Sequence, residues 1–281
     1  MIRKAFLLSA AVLVVGAAAA YALPPDPIDL TYAGATYTDG DGVIWTNLKG
    51  TSGVTQPSGT GIYDPFLREQ ALGGDNGIEY GMNTDADPSP EPLDNVGADA
   101  HTHSVLMGTL KSVNVGGIDY FSYTLDLNEP SGGGQNYLSL DNIKIYVVGN
   151  AGAATLTSMT DPMLNAGTLK YNMDANSDQT VWLDYNNSNT LKDHGSGQDD
   201  MEVLIPKSFF GSYAATDYMV FVAQFGSAGD TGSTGDYSGQ DGFEEWRVST
   251  GLNHTTVPEP ASLSLLGFGL VGLAGAFRRK K

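Results

Sequence analysis

The sequence predicts an all-β fold for residues 23–256, a β-sandwich with the jelly roll as one form of it. Three observations carry this. The apolar residues follow period-2 alternation with little helical periodicity. The alternating runs are short and separated by glycine-rich turns. One run, Tyr218 to Phe225, is apolar on both faces, as a strand covered on both sides must be.

The strands follow in chain order. Val43 to Leu48 is the first clear candidate, preceded by the turn Asp39-Gly40-Asp41-Gly42. Ser104 to Val115 reads as one strand, ended by Gly116-Gly117. Tyr120 to Leu127 places Phe121, Tyr123, Leu125 and Leu127 on one face and Ser122, Thr124 and Asp126 on the other. Pro130-Ser131-Gly132-Gly133-Gly134 breaks the chain before Asn142 to Val147, where Ile143, Ile145 and Val147 share a face. Val181 to Tyr185 follows. Gly195-Ser196-Gly197 precedes a strand carrying Met201, Val203 and Ile205, and Phe243 to Val248 is the last candidate. The pattern reads as one domain, with a weak alternative boundary near Ala151-Gly152-Ala153-Ala154.

Composition narrows the class. The 281 residues include 36 glycines, roughly 13% against a usual value of about 7%. Cysteine is absent, which excludes disulfides, thiolate metal sites and cysteine nucleophiles. Between Leu23 and Val257 eight basic residues face 31 acidic ones, a net charge of −23. Such a body repels nucleic acid and anionic lipid, and it suits divalent cations or simple solubility.

The two ends differ from the body. Arg3 and Lys4 precede an apolar stretch from Ala5 to Ala19, and Ala20-Tyr21-Ala22 fits the small-x-small rule. Residues 1–22 therefore read as a secretory signal peptide, handled by the Sec export machinery and cleaved after Ala22. At the other end, Ala261 to Phe277 is apolar apart from Ser262 and Ser264. As a helix it would span about 25 Å, the short limit for a bilayer. Arg278, Arg279, Lys280 and Lys281 would stay cytoplasmic. Gly267 to Gly272 matches G-x-G-x-x-G but lacks the strand, helix and acidic residue of a dinucleotide site.

Pro258-Glu259-Pro260, the short apolar helix and the basic cluster, in that order over residues 257–281, resemble a PEP-CTERM sorting signal. The resemblance implies recognition of Pro258, Glu259 and Pro260 by an exosortase-type transpeptidase. It also implies a transient inner-membrane anchor, then delivery to the cell surface or extracellular matrix of a Gram-negative bacterium that makes exopolysaccharide. An ordinary permanent anchor is the alternative. Ser139 to Tyr146, Gly195 to Met201 and Asp241 to Trp246 resemble, more loosely, an exported β-domain common in proteins with this signal.

Chemistry-bearing patterns are sparse in the body. Asp174, Asn176 and Asp178 offer oxygens at i, i+2 and i+4, the first half of a calcium loop. Gln179 and Tyr185 stand where an EF-hand needs Gly and Glu, so an EF-hand is excluded while another calcium loop stays open. Asn83 to Asp87 and Asp236 to Glu245 are similarly oxygen-rich, and turn-forming Asp and Asn are the plainer explanation for all three. His101 and His103 lack a third ligand at metal-site spacing. Neither G-x-S-x-G nor H-E-x-x-H occurs. Asp199-Asp200 and Glu244-Glu245 are adjacent in strands, so each pair points to opposite faces. Trp45, Trp182 and Trp246 lie in expected strands, as core residues or as sugar platforms.

These readings favour a non-enzymatic exported surface or matrix protein associated with exopolysaccharide or biofilm, with no certain cofactor. The alternatives are a calcium-assisted carbohydrate-binding module and a polysaccharide-acting hydrolase. N-terminal sequencing of the exported protein is expected to begin at Leu23, and retention of Met1 would refute the leader.

Overall fold

The computed structural model describes residues 27–49, 63–71, 77–85, 101–131, 134–149, 167–186, 197–226, 237–240 and 242–249. The expected signal peptide, residues 1–22, and the expected sorting signal with its apolar helix, residues 257–281, lie outside them. Among the described residues no helix is long and apolar enough to cross a membrane.

Among the described residues, fourteen strands pair into two sheets. The front sheet has the order β1 (Ile28–Asp29), β11 (Val181–Asp184), β9 (Tyr137–Val148), β13 (Tyr218–Phe225), β5 (Glu79–Met82). Onto it, β10 (Thr168–Asn172) pairs with β9, and β6 (Val105–Leu106) with β13. The back sheet has the order β2 (Thr36–Thr38), β3 (Ile44–Asn47), β12 (Met201–Pro206), β8 (Ile118–Asp126), β14 (Glu244–Ser249), β4 (Leu67–Glu69). There β7 (Ser112–Val115) forms a hairpin with β8. All pairings are antiparallel except β1 with β11. The architecture is the expected all-β sandwich.

Alternation decides which side chains fill the space between the sheets. β9 contributes Ile143, Ile145 and Val147, and β13 contributes Met219, Phe221, Ala223 and Phe225. Opposite them, β8 contributes Phe121, Tyr123 and Leu125, and β12 contributes Met201, Val203 and Ile205. Phe221 stands at the centre. Its ring meets Phe66 at 5.3 Å, Tyr123 at 5.3 Å and Trp246 at 5.0 Å between centroids. The two glycines of the β7–β8 turn, Gly116 at φ 59° and Gly117 at φ 88°, take the left-handed conformations that a two-residue hairpin turn requires.

One expectation needs correction. Ser104 to Val115 is not one strand. β6 lies in the front sheet and β7 in the back sheet, joined by a 3-10 turn over Met107–Thr109. The cause is a close backbone approach. Met107 N donates to Asp217 O at 2.8 Å and Gly108 N to Ala215 O at 3.0 Å, and a side chain at Gly108 would strike Ala215. The polar face of β8 is covered as well. Ser122, Thr124 and Asp126 are as buried as the apolar residues between them. Ser122 Oγ donates to Glu202 Oε1 at 2.5 Å, and Asp126 accepts from the backbone N–H of Gly197.

Because Phe221 packs the front sheet onto three aromatic rings from the back-sheet side, Phe221→Ala is expected to destabilise the protein by about 3–5 kcal/mol. The check is a lowered urea midpoint with an unchanged m-value.

Candidate functional site

The expected calcium residues are engaged by the protein itself. Asp174 Oδ1 accepts from Gln179 N at 3.1 Å, and Oδ2 accepts from the Asn142 side-chain amide. Asn176 turns away and donates to Asp41 Oδ2 at 2.7 Å. Asp178 is exposed. The loop closes a small cleft against the β2–β3 turn, lined by Asp39, Asp41, Tyr171, Met173 and Gln179. Asp39 is itself a turn builder, accepting from Asp41 N and Val43 N at 2.9 Å each.

The tryptophans divide between the core and the outer face. Trp45 and Trp246 are fully buried between the sheets. Trp182 faces outward from β11, half-buried, and stacks on Tyr237 at 4.9 Å with a 30° tilt. Tyr137 meets the same Tyr237 ring at 5.3 Å. Farther across this outer face, Tyr80, Tyr146 and Tyr218 surround the buried Met82, Val148, Val220 and Val222. Strand register explains the grouping. Tyr218 pairs with Val148 and Val220 with Tyr146, while Val222 pairs with Met82. Polar residues of the same parity, Asn142, Lys144 and Gln224, complete the face.

The most concentrated chemistry is one that adjacency in sequence did not reveal. Glu79 from β5, Glu129 from the segment after β8 and Glu244 from β14 converge, with a carboxylate oxygen of each within 4.8 Å of the others. All three are buried. Glu129 accepts from Gln240 N at 3.3 and 3.1 Å, Glu79 Oε1 from Ala71 N at 3.2 Å, and Glu244 Oε1 from Asn128 N at 3.4 Å. The Oε2 atoms of Glu79 and Glu244 are buried and receive no donor. Burial raises both carboxyl pKa values, and the charges of Glu79 and Glu129 push Glu244 farther up. A carboxylate offers no proton, so Glu79 and Glu244 hydrogen-bond each other only when one is protonated. Backbone presses closely on the cluster. An added methyl at Gly239 would collide with the Glu79 carboxylate, and one at Gly242 with Asn128 O.

One sequence signal foretold part of this. Glu244 has the parity of Trp246 in β14, so if the tryptophan faces the core the glutamate does too. Glu244 also falls within the oxygen-rich stretch from Asp236 to Glu245. Nothing local marks Glu79 or Glu129 as its partners.

A second polar cluster lies on the back sheet. Asp199 holds Arg247 through two parallel hydrogen bonds, Nε to Oδ1 at 2.7 Å and Nη2 to Oδ2. Arg247 also covers the Tyr63 ring at 5.2 Å. Asp200 pairs with Lys49 at 3.0 Å and accepts from Leu127 N at 2.8 Å. Asp126 accepts from Gly197 N at 2.6 Å. Asp199 and Asp200 precede β12 rather than lying in a strand, and each carboxylate takes a different cation.

An acidic β-sandwich with a buried tricarboxylate and an aromatic outer face thus constitutes the body. Residues 256–280 match the model of the PEP-CTERM protein-sorting motif. The chain therefore carries the motif of proteins exported and sorted to the cell surface by exosortase-type machinery. No curated protein and no solved structure matches the chain.

Burial, with the Asp200 charge adding to it, pushes the Asp126 pKa up to about 8. A folded-state value above the unfolded one means that protonated Asp126 stabilises the fold at pH below about 4, and that this stabilisation is lost as pH rises toward 8. Relative to wild type, Asp126→Asn is expected to remove up to about 1.4 kcal/mol per pH unit of decline between pH 5 and 8. Urea unfolding across that range checks it, and parallel pH profiles would refute it.

Proposed function

We propose that this protein is a non-enzymatic component of the cell surface or extracellular matrix. Its body would hold exopolysaccharide against the outer face of the front sheet. The reading rests on the sorting motif at residues 256–280 together with the aromatic character of that face. Tyr80, Tyr146 and Tyr218 at one end, and Trp182 with Tyr137 at the other, are half-buried rather than enclosed. Between them lies Gln224, whose half-buried side-chain amide both donates and accepts hydrogen bonds. Sugar rings offer apolar C–H faces to aromatic rings and hydroxyls to amides, so a face mixing the two suits them. The body's charge of −23 disfavours nucleic acid and anionic lipid as alternative ligands.

Sorting would follow the C-terminal order of parts. Pro258-Glu259-Pro260 would be recognised by the transpeptidase, the apolar stretch would hold the chain in the inner membrane, and the basic tail would stop it there. A Gram-negative host fits this order of export. The calcium-assisted form of carbohydrate binding adds an ion to the same face or its flanking loops, Asp174 to Asp178 among them.

Two measurements test the proposal. Deleting Pro258 to Lys281, or removing the host exosortase, is expected to change both the mass and the location of the protein. No change in either would end the sorting claim. On gels cast with the host exopolysaccharide, with calcium and with a chelator, the protein is expected to be retarded. Tyr146→Ala and Tyr218→Ala should each weaken retention by about 2- to 12-fold, the range of a lost aromatic contact. Mobility indifferent to every matrix polysaccharide would sink the binding claim.

A further inference from the structure

We infer that Glu79, Glu129 and Glu244 form a binding site for a hard divalent cation, calcium, that clamps the two sheets together at one end of the sandwich. The site does not depend on the polysaccharide reading. Glu79 belongs to β5 of the front sheet and Glu244 to β14 of the back sheet, with Glu129 joining from the segment after β8. A shared ion would therefore link elements that no backbone ladder connects.

Convergence of three acids alone would not establish a ligand. The second observation is the state of two buried oxygens. Glu79 and Glu244 have no exposed surface, yet Oε2 of each receives no donor from the protein. Leaving two charged oxygens buried and unsatisfied is costly, and a third buried carboxylate beside them adds to the cost. Two remedies exist: a proton shared between carboxyls, or a cation among them. Three glutamates can supply up to six oxygens, within the six to eight that calcium takes.

The donor set also selects the ion. All three ligands are carboxylates and the chain has no cysteine, which disfavours the softer transition metals. Magnesium demands near-ideal octahedral geometry and keeps several waters, whereas calcium accepts bidentate carboxylates in irregular arrangements. The close backbone at Gly239 and Gly242 leaves little room for a hydrated ion. An exported protein meets calcium at concentrations where even the weak sites of extracellular modules fill.

The test uses the full-length protein stripped with a chelator. Calorimetric titration with calcium is expected to give one site, and calcium at about 100 times its Kd should raise Tm by about 5–10 °C. Magnesium should do markedly less. Glu129→Gln and Glu244→Gln should abolish the calcium response, while Asp174→Asn should keep it. A wild type that binds no calcium and melts identically in chelator would overturn the inference in favour of a shared proton. A response lost in Asp174→Asn but kept in the glutamate variants would overturn it too. Should those variants fail to fold, elemental analysis of wild type recovered without chelator decides: one calcium per chain supports the site, and none refutes it. Gel retention that fails while calcium still binds would remove the polysaccharide reading alone.

Discussion

The sandwich depends on the aromatic contact between its sheets. Phe221 from the front sheet is packed among Tyr123 and Trp246 from the back sheet and Phe66 from the segment leading into β4. No disulfide constrains the unfolded chain, so the two layers stay together through burial. Edge-to-face packing adds directionality, because the Phe66 and Phe221 rings cross at 73°. The long strands β8 and β9 sit centrally in their sheets and align these rings.

That core concentrates polar burial at the margins. The tricarboxylate lies where β5 approaches β14, and the Asp199–Arg247 and Lys49–Asp200 pairs lie along the back sheet. These are opposite solutions to one problem. The aspartates are neutralised by cationic side chains within hydrogen-bond range, whereas Glu244, raised first by burial, has other carboxylates as its charged neighbours. The first arrangement is complete within the protein. The second calls for a proton or an ion, and this difference makes the glutamate cluster the chemically distinctive point of the body. Glycines support both the folding and the site, since Gly239 and Gly242 let loops approach closer than any side chain would allow.

Much of the strand pattern was legible because alternation is a local property. Tyr218 to Phe225 was recognised as central from its two apolar faces, and it lies between β9 and β5. The short edges β1, β2, β4, β5 and β10 were not anticipated, since two to five residues carry too little periodicity. The Ser104 to Val115 run misled for a related reason. Its composition is that of a strand throughout, but a contact with Ala215, distant in sequence, forces the chain to change sheets at Gly108. Among the tryptophans, alternation placed each in a strand without saying which face of which sheet would be covered.

By itself, the sequence determined the all-β class, the acidic body and the sorting motif at its C-terminal end, because each is written in neighbouring residues: parity, charge, and a contiguous tripeptide followed by its apolar and basic parts. Tertiary structure alone decided that Glu79, Glu129 and Glu244 meet and that Trp182 faces outward while Trp246 does not. It also decided that Ser122, Thr124 and Asp126 are buried. These depend on which strands become neighbours and which faces are covered, and that is fixed by long-range pairing whose information is spread over the whole chain.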